Sequence, residues 1–277
     1  MTDPVELTDI KLEYADIADA RGLSGLRLVL GAYAIPGPWR ESCKGVFHVK
    51  GIPYTPVRTA GDGFSDLDFG AAGADAELRA WTAQSSAPVA MWNDERARAH
   101  WIDQLYLAER INPDPHLIPP GIDDQIRMFG LAHQVIGEGG LGWTKRVAIL
   151  HRTLVDMPAD DPARGLWEHV GEKYLYTPEV GAAAPARMAE IISALHNQLT
   201  EQRSHGRRYF VGHQISALDI YWACFLALFK PLSSELCPMG EWPYSNPDEE
   251  VAAALSPLLV EHRDYIYESY LELPIVF

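Results

Sequence analysis

The sequence predicts an α/β domain at the N-terminal side followed by an all-α domain, and three observations carry that reading. Two short apolar runs, 26–33 (LRLVLGAY) and 52–57 (IPYTPV), flank a stretch from Pro38 to Gly51 whose apolar residues recur at helical spacing. Residues 112–121 (NPDPHLIPPG) carry four prolines and interrupt the pattern, as a connection between domains does. Beyond them the apolar residues recur at helical spacing, and at 277 residues the chain exceeds the usual size of one core. The expected divisions are an extension over 1–24, an α/β domain over 25–112, a linker over 113–121 and a helical domain over 122–277.

Each element follows from its residues. Residues 1–24 are acidic and without periodicity, which reads as a surface arm. Residues 26–33 form a buried strand that ends at Tyr33, before the loop Ala34-Ile35-Pro36-Gly37-Pro38. Pro38 suits a first helical turn, and Trp39, Cys43, Val46 and Phe47 then share a face until Gly51. Residues 52–57 tolerate Pro53 and Pro56 because an edge strand need not donate every amide. Strand, helix and strand make a right-handed βαβ unit if the strands are parallel. Residues 60–73 read as a Gly- and Asp-rich loop, 74–81 as a short helix, and Pro88 stands directly before an apolar strand, 89–92. Asn93-Asp94-Glu95 is a turn, and 97–111 is a helix with Trp101, Leu105 and Ala108 on one side. This order is that of a thioredoxin-like fold, in which the Ala87–Pro88 bond is expected to be cis.

In the helical half, Ile122, Ile126, Phe129 and Ile136 follow helical spacing. Gly137-Glu138-Gly139-Gly140-Leu141-Gly142 matches the dinucleotide pattern G-x-G-x-x-G, which needs a strand before it; the preceding segment is helical, so these glycines break one long helix that resumes at Trp143. Residues 156–184 form an irregular or short-helix excursion, and 185–202 a helix carrying Met188, Ile191, Ile192, Leu195 and Leu199. Ser216 and Asp219 have the spacing of a capping box and Ile215 and Ile220 that of a hydrophobic staple, so the almost wholly apolar 221–229 belongs to a core helix. A loop over 231–247 and a last helix over 251–273 complete the chain.

Taken in order, Gly51-Ile52-Pro53-Tyr54, Ala87-Pro88-Val89, Tyr106-Leu107-Ala108-Glu109-Arg110 and residues 209–220 (YFVGHQISALDI) resemble a glutathione transferase along most of residues 26–230. The resemblance is to a divergent member of that superfamily, and it implies a thioredoxin-like N-terminal domain, an all-helical C-terminal domain and glutathione as co-substrate. Such proteins stabilise the glutathione thiolate with a Ser, Tyr or Cys near the end of the first strand. Aligned from residues 51–54, that position is Gly37, followed by Pro38 and Trp39, so Tyr33 is the nearest candidate donor or else a core aromatic. Cys43, on the apolar face of its helix, reads as a buried structural thiol. The acid and hydroxyl pair that grips the γ-glutamyl end falls at Arg98-Ala99-His100, where a cation would hold a carboxylate or be solvated. The resemblance thus assigns catalysis to Tyr33, and glutathione binding to Gly37, Trp39, Arg40, Ala87, Pro88, Arg98 and His100. It gives the wall for a second substrate to Trp143 and Arg146, residues that domain packing would equally explain.

Composition narrows the partners. A formal charge of −15 argues against nucleic acid and anionic membranes, and no stretch has the apolar length of a membrane span. Three cysteines without a C-x-x-C pair suit a reduced, cytoplasmic location. No histidines stand at metal-ligand spacing and no hydrolase or phosphate-loop motif occurs, so no metal is expected. The expected function is glutathione-thiolate chemistry (conjugation, cleavage or isomerisation) on a small hydrophobic, aromatic molecule, by a homodimer. The alternative is a non-catalytic binding or assembly protein of the same fold.

Overall fold

The computed structural model describes residues 12–30, 37–59, 76–237 and 248–276, which divide between two compact units. The first takes the described residues of 1–117, 231–242 and 267–277; the second takes 118–230 and those of 243–266. Tyr33 and the whole of the expected loop over 60–73 lie outside the described residues.

In the first unit, β1 (Leu26–Val29) is buried at every position and is the centre of a sheet of order β2-β1-β3. It pairs in parallel with β2 (Tyr54–Val57) and antiparallel with β3 (Val89–Trp92). A central strand reads as a continuous apolar run, and Arg27 is the exception. Its guanidinium donates to the carbonyls of Ala20, Leu23 and Asn93 and lies 5.7 Å from the centroid of the Trp81 ring, so the buried charge is solvated by backbone. The helices are α1 (Ile17–Ala20), α2 (Pro38–Val49), α3 (Ala76–Thr82) and α4 (Trp101–Ile111), and the Ala87–Pro88 bond is cis, as expected.

Three expectations for this unit are corrected. The segment read as a surface arm is docked from Ala15 onward: Ala15 bridges to Val57, and Ile17 and Ala20 join a core with Val29, Val57, Leu78, Val89 and Met91. The helix expected from Ala97 starts at Trp101, because Arg98 instead exchanges both backbone bonds with Ala90, at 2.9 Å each, in an isolated antiparallel bridge. The single apolar face expected of α2 also understates its burial. Pro38 and every residue from Arg40 to Phe47 are buried, and residues near the chain's other end take part: the Lys44 ammonium donates to the Val276 carbonyl, and the Ile275 amide to that of Leu236.

The second unit contains α5 (Ile122–Ile136), α6 (Leu141–Asp156), α7 (Arg164–Lys173), α8 (Pro178–Ser204), α9 (Ala217–Leu226), α10 (Glu249–Ala254) and α11 (Pro257–Tyr270) up to Ile266. The glycine break between α5 and α6 is as expected, and it has a steric reason: a Cβ on Gly140 would stand 2.6 Å from the His133 carbonyl oxygen. On α5, however, Ile122 and Ile126 are exposed, and Met128, Ala132, Val135 and Ile136 are the buried face. Helix α8 begins seven residues before the expected Pro185, where Thr177 caps it and Pro178 occupies the first turn. The expected last helix is two, with α11 restarting at Pro257.

All ten residues of α9 are buried, and the capping box is present. The Asp219 carboxyl accepts from the amides of Phe210 (3.0 Å) and Ser216 (2.8 Å), the Ser216 hydroxyl (2.7 Å) and His262 Nε2 (2.8 Å). Ser216 and His262 both donate to the acid instead of to each other, so no nucleophile–base pair exists and the trio is structural. Lys145 on α6 is a different buried ion. It is 1% exposed, its ammonium has no hydrogen-bond partner among the described residues, and it stands 5.1 Å from the centroid of the Phe229 ring. Burial first, then the nearby Arg152 charge, lower its pKa from 10.5 to about 8, against a smaller opposing pull from Asp248.

Replacing Asp219 by Ala strands four buried donors, so we expect a loss of about 3–5 kcal/mol in denaturant unfolding; a loss below about 1 kcal/mol would mean the network is replaceable. For Lys145 the unfolded chain binds the proton more tightly than the folded protein. Its cost is therefore present in full below pH 8 and disappears as pH rises from 8 towards 10.5. Lys145→Met should then gain about 1–3 kcal/mol at pH 7 and progressively less by pH 10. A pH-independent gain would contradict this account.

Candidate functional site

The register of the sheet fixes where a site can form in the first unit. Val29 at the end of β1 pairs with Val89 at the start of β3, so the chain leaving β1 and the chain entering β3, through Ala87 and Pro88, share one end of the sheet. Gly37 then opens α2 with extended backbone and no side-chain cap, and Pro38 occupies the first turn. A helix N-terminus of this kind carries partial positive charge suited to an anionic group.

Arg40, expected to bind glutathione, is only 3% exposed, and its Nε donates to Glu41 at 3.1 Å. Glu41 also accepts from Lys44 at 3.0 Å, and Glu272 stands 3.9 Å from the same ammonium. Arg40 is thus part of a buried ion cluster that includes residues the sequence did not single out. Tyr14, from the supposed arm, joins it: burial raises its pKa, with Arg40 lowering and Glu41 raising it to smaller extents. Cys43 is buried and its thiol pushed up by desolvation, while burial and Glu41 push Cys237 up to about 12. Neither thiol is a nucleophile at neutral pH. Trp39 is half-buried.

At the expected γ-glutamyl position, the Arg98 guanidinium binds Glu95 at 2.7 Å and the Arg96 carbonyl. Glu95 is bound at 2.6 Å by Arg110 as well, and the Arg110 hydrogen bond first, then that of Arg98, lower its pKa. His100 is the exposed N-cap of α4, its Nδ1 accepting from the Ile102 amide at 3.4 Å, which places the donor proton of the neutral ring on Nε2. Gln104, unnoticed in the sequence, is buried and donates its amide towards the carbonyls of Pro88 and Arg98.

In the second unit Trp143 and Arg146 lie one turn apart, and the structure adds Tyr174 to them. The Trp143 indole donates to the Tyr174 carbonyl at 3.1 Å, its ring meets that of Tyr174 edge-on with centroids 4.8 Å apart, and the Arg146 guanidinium lies 5.9 Å from the Tyr174 centroid. Tyr176 likewise meets His151 on α6 at 3.2 Å. The excursion over 156–184 therefore has a role that its sequence hid: its tyrosines cover one flank of α6. Among the described residues no group of metal-ligating side chains converges, and no helix is long and apolar enough to cross a membrane.

No protein-family model matches the sequence, and no curated protein matches it. Solved structures do. A glutathione S-transferase domain-containing protein from Marinobacter aquaeolei VT8 superposes with a TM-score of 0.59 at 14% identity, covering 90% of this chain and 99% of its own. A glutathione S-transferase from Methylobacterium radiotolerans JCM 2831, in complex with glutathione sulfonate, gives 0.57 at 14% identity, with coverage of 88% and 91%. Ure2p in complex with glutathione gives 0.51 at 10% identity, with coverage of 87% and 98%. The chain has the glutathione S-transferase fold.

The ion cluster of α2 depends on its one buried acid. Glu41→Gln leaves Arg40 and Lys44 without their shared counter-charge, and we expect unfolding free energy to fall by about 3 kcal/mol. An unchanged denaturation midpoint would show that solvent screens both cations.

Proposed function

We propose that the protein binds glutathione and uses its thiolate on a small hydrophobic, aromatic molecule. The observation that carries the reading is the shared end of the sheet, where α2 opens at Gly37 and Pro38 and the Ala87–Pro88 backbone enters β3. Two of the solved structures of this fold hold glutathione or glutathione sulfonate, which supports the ligand. The polypeptide at Ala87 needs no particular side chain to receive a peptide-like ligand, and Gly37, Trp39 and His100 are the further residues proposed to hold it. On the second unit, the half-buried Trp143 and Arg146 are the residues proposed to meet a second substrate, and the buried Tyr174 holds Trp143 in place. A cytoplasmic homodimer is part of the proposal; light scattering is expected to give twice the chain mass, and a monomer mass would overturn the dimer.

Thiol activation falls to Tyr33. Bringing a thiol from about 8.5 to about 6.5 takes roughly 2.7 kcal/mol, within reach of one charge-assisted hydrogen bond and a helix N-terminus. A second reading, a non-catalytic binding or assembly protein, has its own support: Gly37 replaces Ser or Cys, and the Arg98 guanidinium is already bound to Glu95.

Isothermal titration with glutathione, followed by turnover of aromatic electrophiles, decides between the readings. In the catalytic reading Tyr33→Phe lowers turnover at neutral pH by about 10- to 100-fold, with much of the loss recovered at high pH, where free thiol ionises unaided. Binding without turnover of any substrate, or no binding of glutathione at all, removes the catalytic reading and favours the second.

A further inference from the structure

Gln104 stands in the buried stripe of α4 with Trp101, Leu105 and Ala108, where an amide is costly unless it is fully used. It is 4% exposed, and its Nε2 lies 3.2 Å from the Pro88 carbonyl oxygen, 3.2 Å from that of Arg98 and 3.5 Å from that of Ala99. Three acceptors fix the orientation of the amide, since the opposite one would set its oxygen against three carbonyls. The two protons thus serve the two segments that the proposed glutathione site needs. Pro88 precedes the first paired residue of β3, so its carbonyl falls outside the β1 ladder. Arg98 is locked to Ala90 by backbone bonds, and its carbonyl accepts from both the Ala90 amide and Gln104.

We infer that Gln104 is a positioning residue for the ligand. It ties the Ala87–Pro88 backbone to the Arg98–His100 segment, so that the strand entry and the helix cap present one fixed edge to a peptide-like thiol such as glutathione. This rests on the glutathione reading above. The residue touches no ligand itself; it acts through carbonyl groups on two segments that are ten residues apart in the chain.

The experiment is calorimetric titration of reduced glutathione into the unaltered protein, Gln104→Leu and Gln104→Glu, with amide exchange followed at Ala90 and Arg98. Gln104→Leu is expected to weaken binding about tenfold or more and to speed exchange at both amides, while the β1–β2 amides keep their protection. In Gln104→Glu the deficit relative to the unaltered protein is expected at about pH 8 and to shrink towards about pH 5, where a protonated carboxyl again donates to a carbonyl. That pH-dependent rescue separates positioning from a general loss of packing, and it keeps the test decisive if Gln104→Leu fails to fold. Folded variants that bind as tightly as the unaltered protein, or a Gln104→Glu deficit equal at every pH, overturn this inference alone. If the unaltered protein does not bind glutathione, the proposed function falls and this inference with it.

Discussion

The buried carboxyl of Asp219 is the constraint on which the helical unit is built. A polar side chain at full burial is tolerated when every acceptor position is used. Here one oxygen takes the Phe210 amide and His262, and the other takes the amide and hydroxyl of Ser216. One acid therefore fixes the chain entering α9, the start of that helix and a point on α11. In the apolar run that follows, the Trp222 indole donates to the Leu259 carbonyl on the same α11. The two bonds set the rotation and height of α9 against α11, and side-chain packing follows from them.

The first unit solves the same problem with ions. Its central strand contains an arginine and its first long helix an Arg-Glu-Lys trio, all buried. Arg27 donates to three carbonyls, and in the trio Arg40 and Lys44 share one carboxylate while Lys44 also reaches the Val276 carbonyl. Such groups seldom add net stability relative to apolar residues, because desolvation offsets attraction. What they impose is uniqueness, since any other packing of α2 would leave a cation without its counter-charge.

Features written in consecutive residues were legible. The capping box at Ser216 and Asp219, the glycine break after Ile136, the turn at Asn93 and the βαβ order all follow from local chemistry, and the structure has each of them. Features set by contacts distant in sequence were not. Residues 97–100 have helical periodicity, yet the Ala90 backbone claims Arg98 first. Ile122 and Ile126 show that periodicity identifies a face without saying that anything covers it. Of the candidate site, the Ala87–Pro88 element and the start of α2 at Pro38 were readable because proline fixes its own backbone angle wherever it occurs. Glu41, Gln104 and Tyr174 were not, because a polar or aromatic residue reveals its role only through its partners. Tyr33 is still an assignment by resemblance.

The first unit also has a consequence for how the chain is made. It draws residues from before Leu117 and from after Ile266, with the Ile275 amide on Leu236 and the Lys44 ammonium on Val276. A ribosome releases the strands and α2 early, but the partners that finish burying α2 emerge only after nearly the whole helical unit. Until then the Arg40–Glu41–Lys44 face waits in water, where its charges are content and keep a half-finished domain soluble. The polarity that looks wasteful in the completed fold is well suited to that interval, when an apolar surface in the same place would invite aggregation.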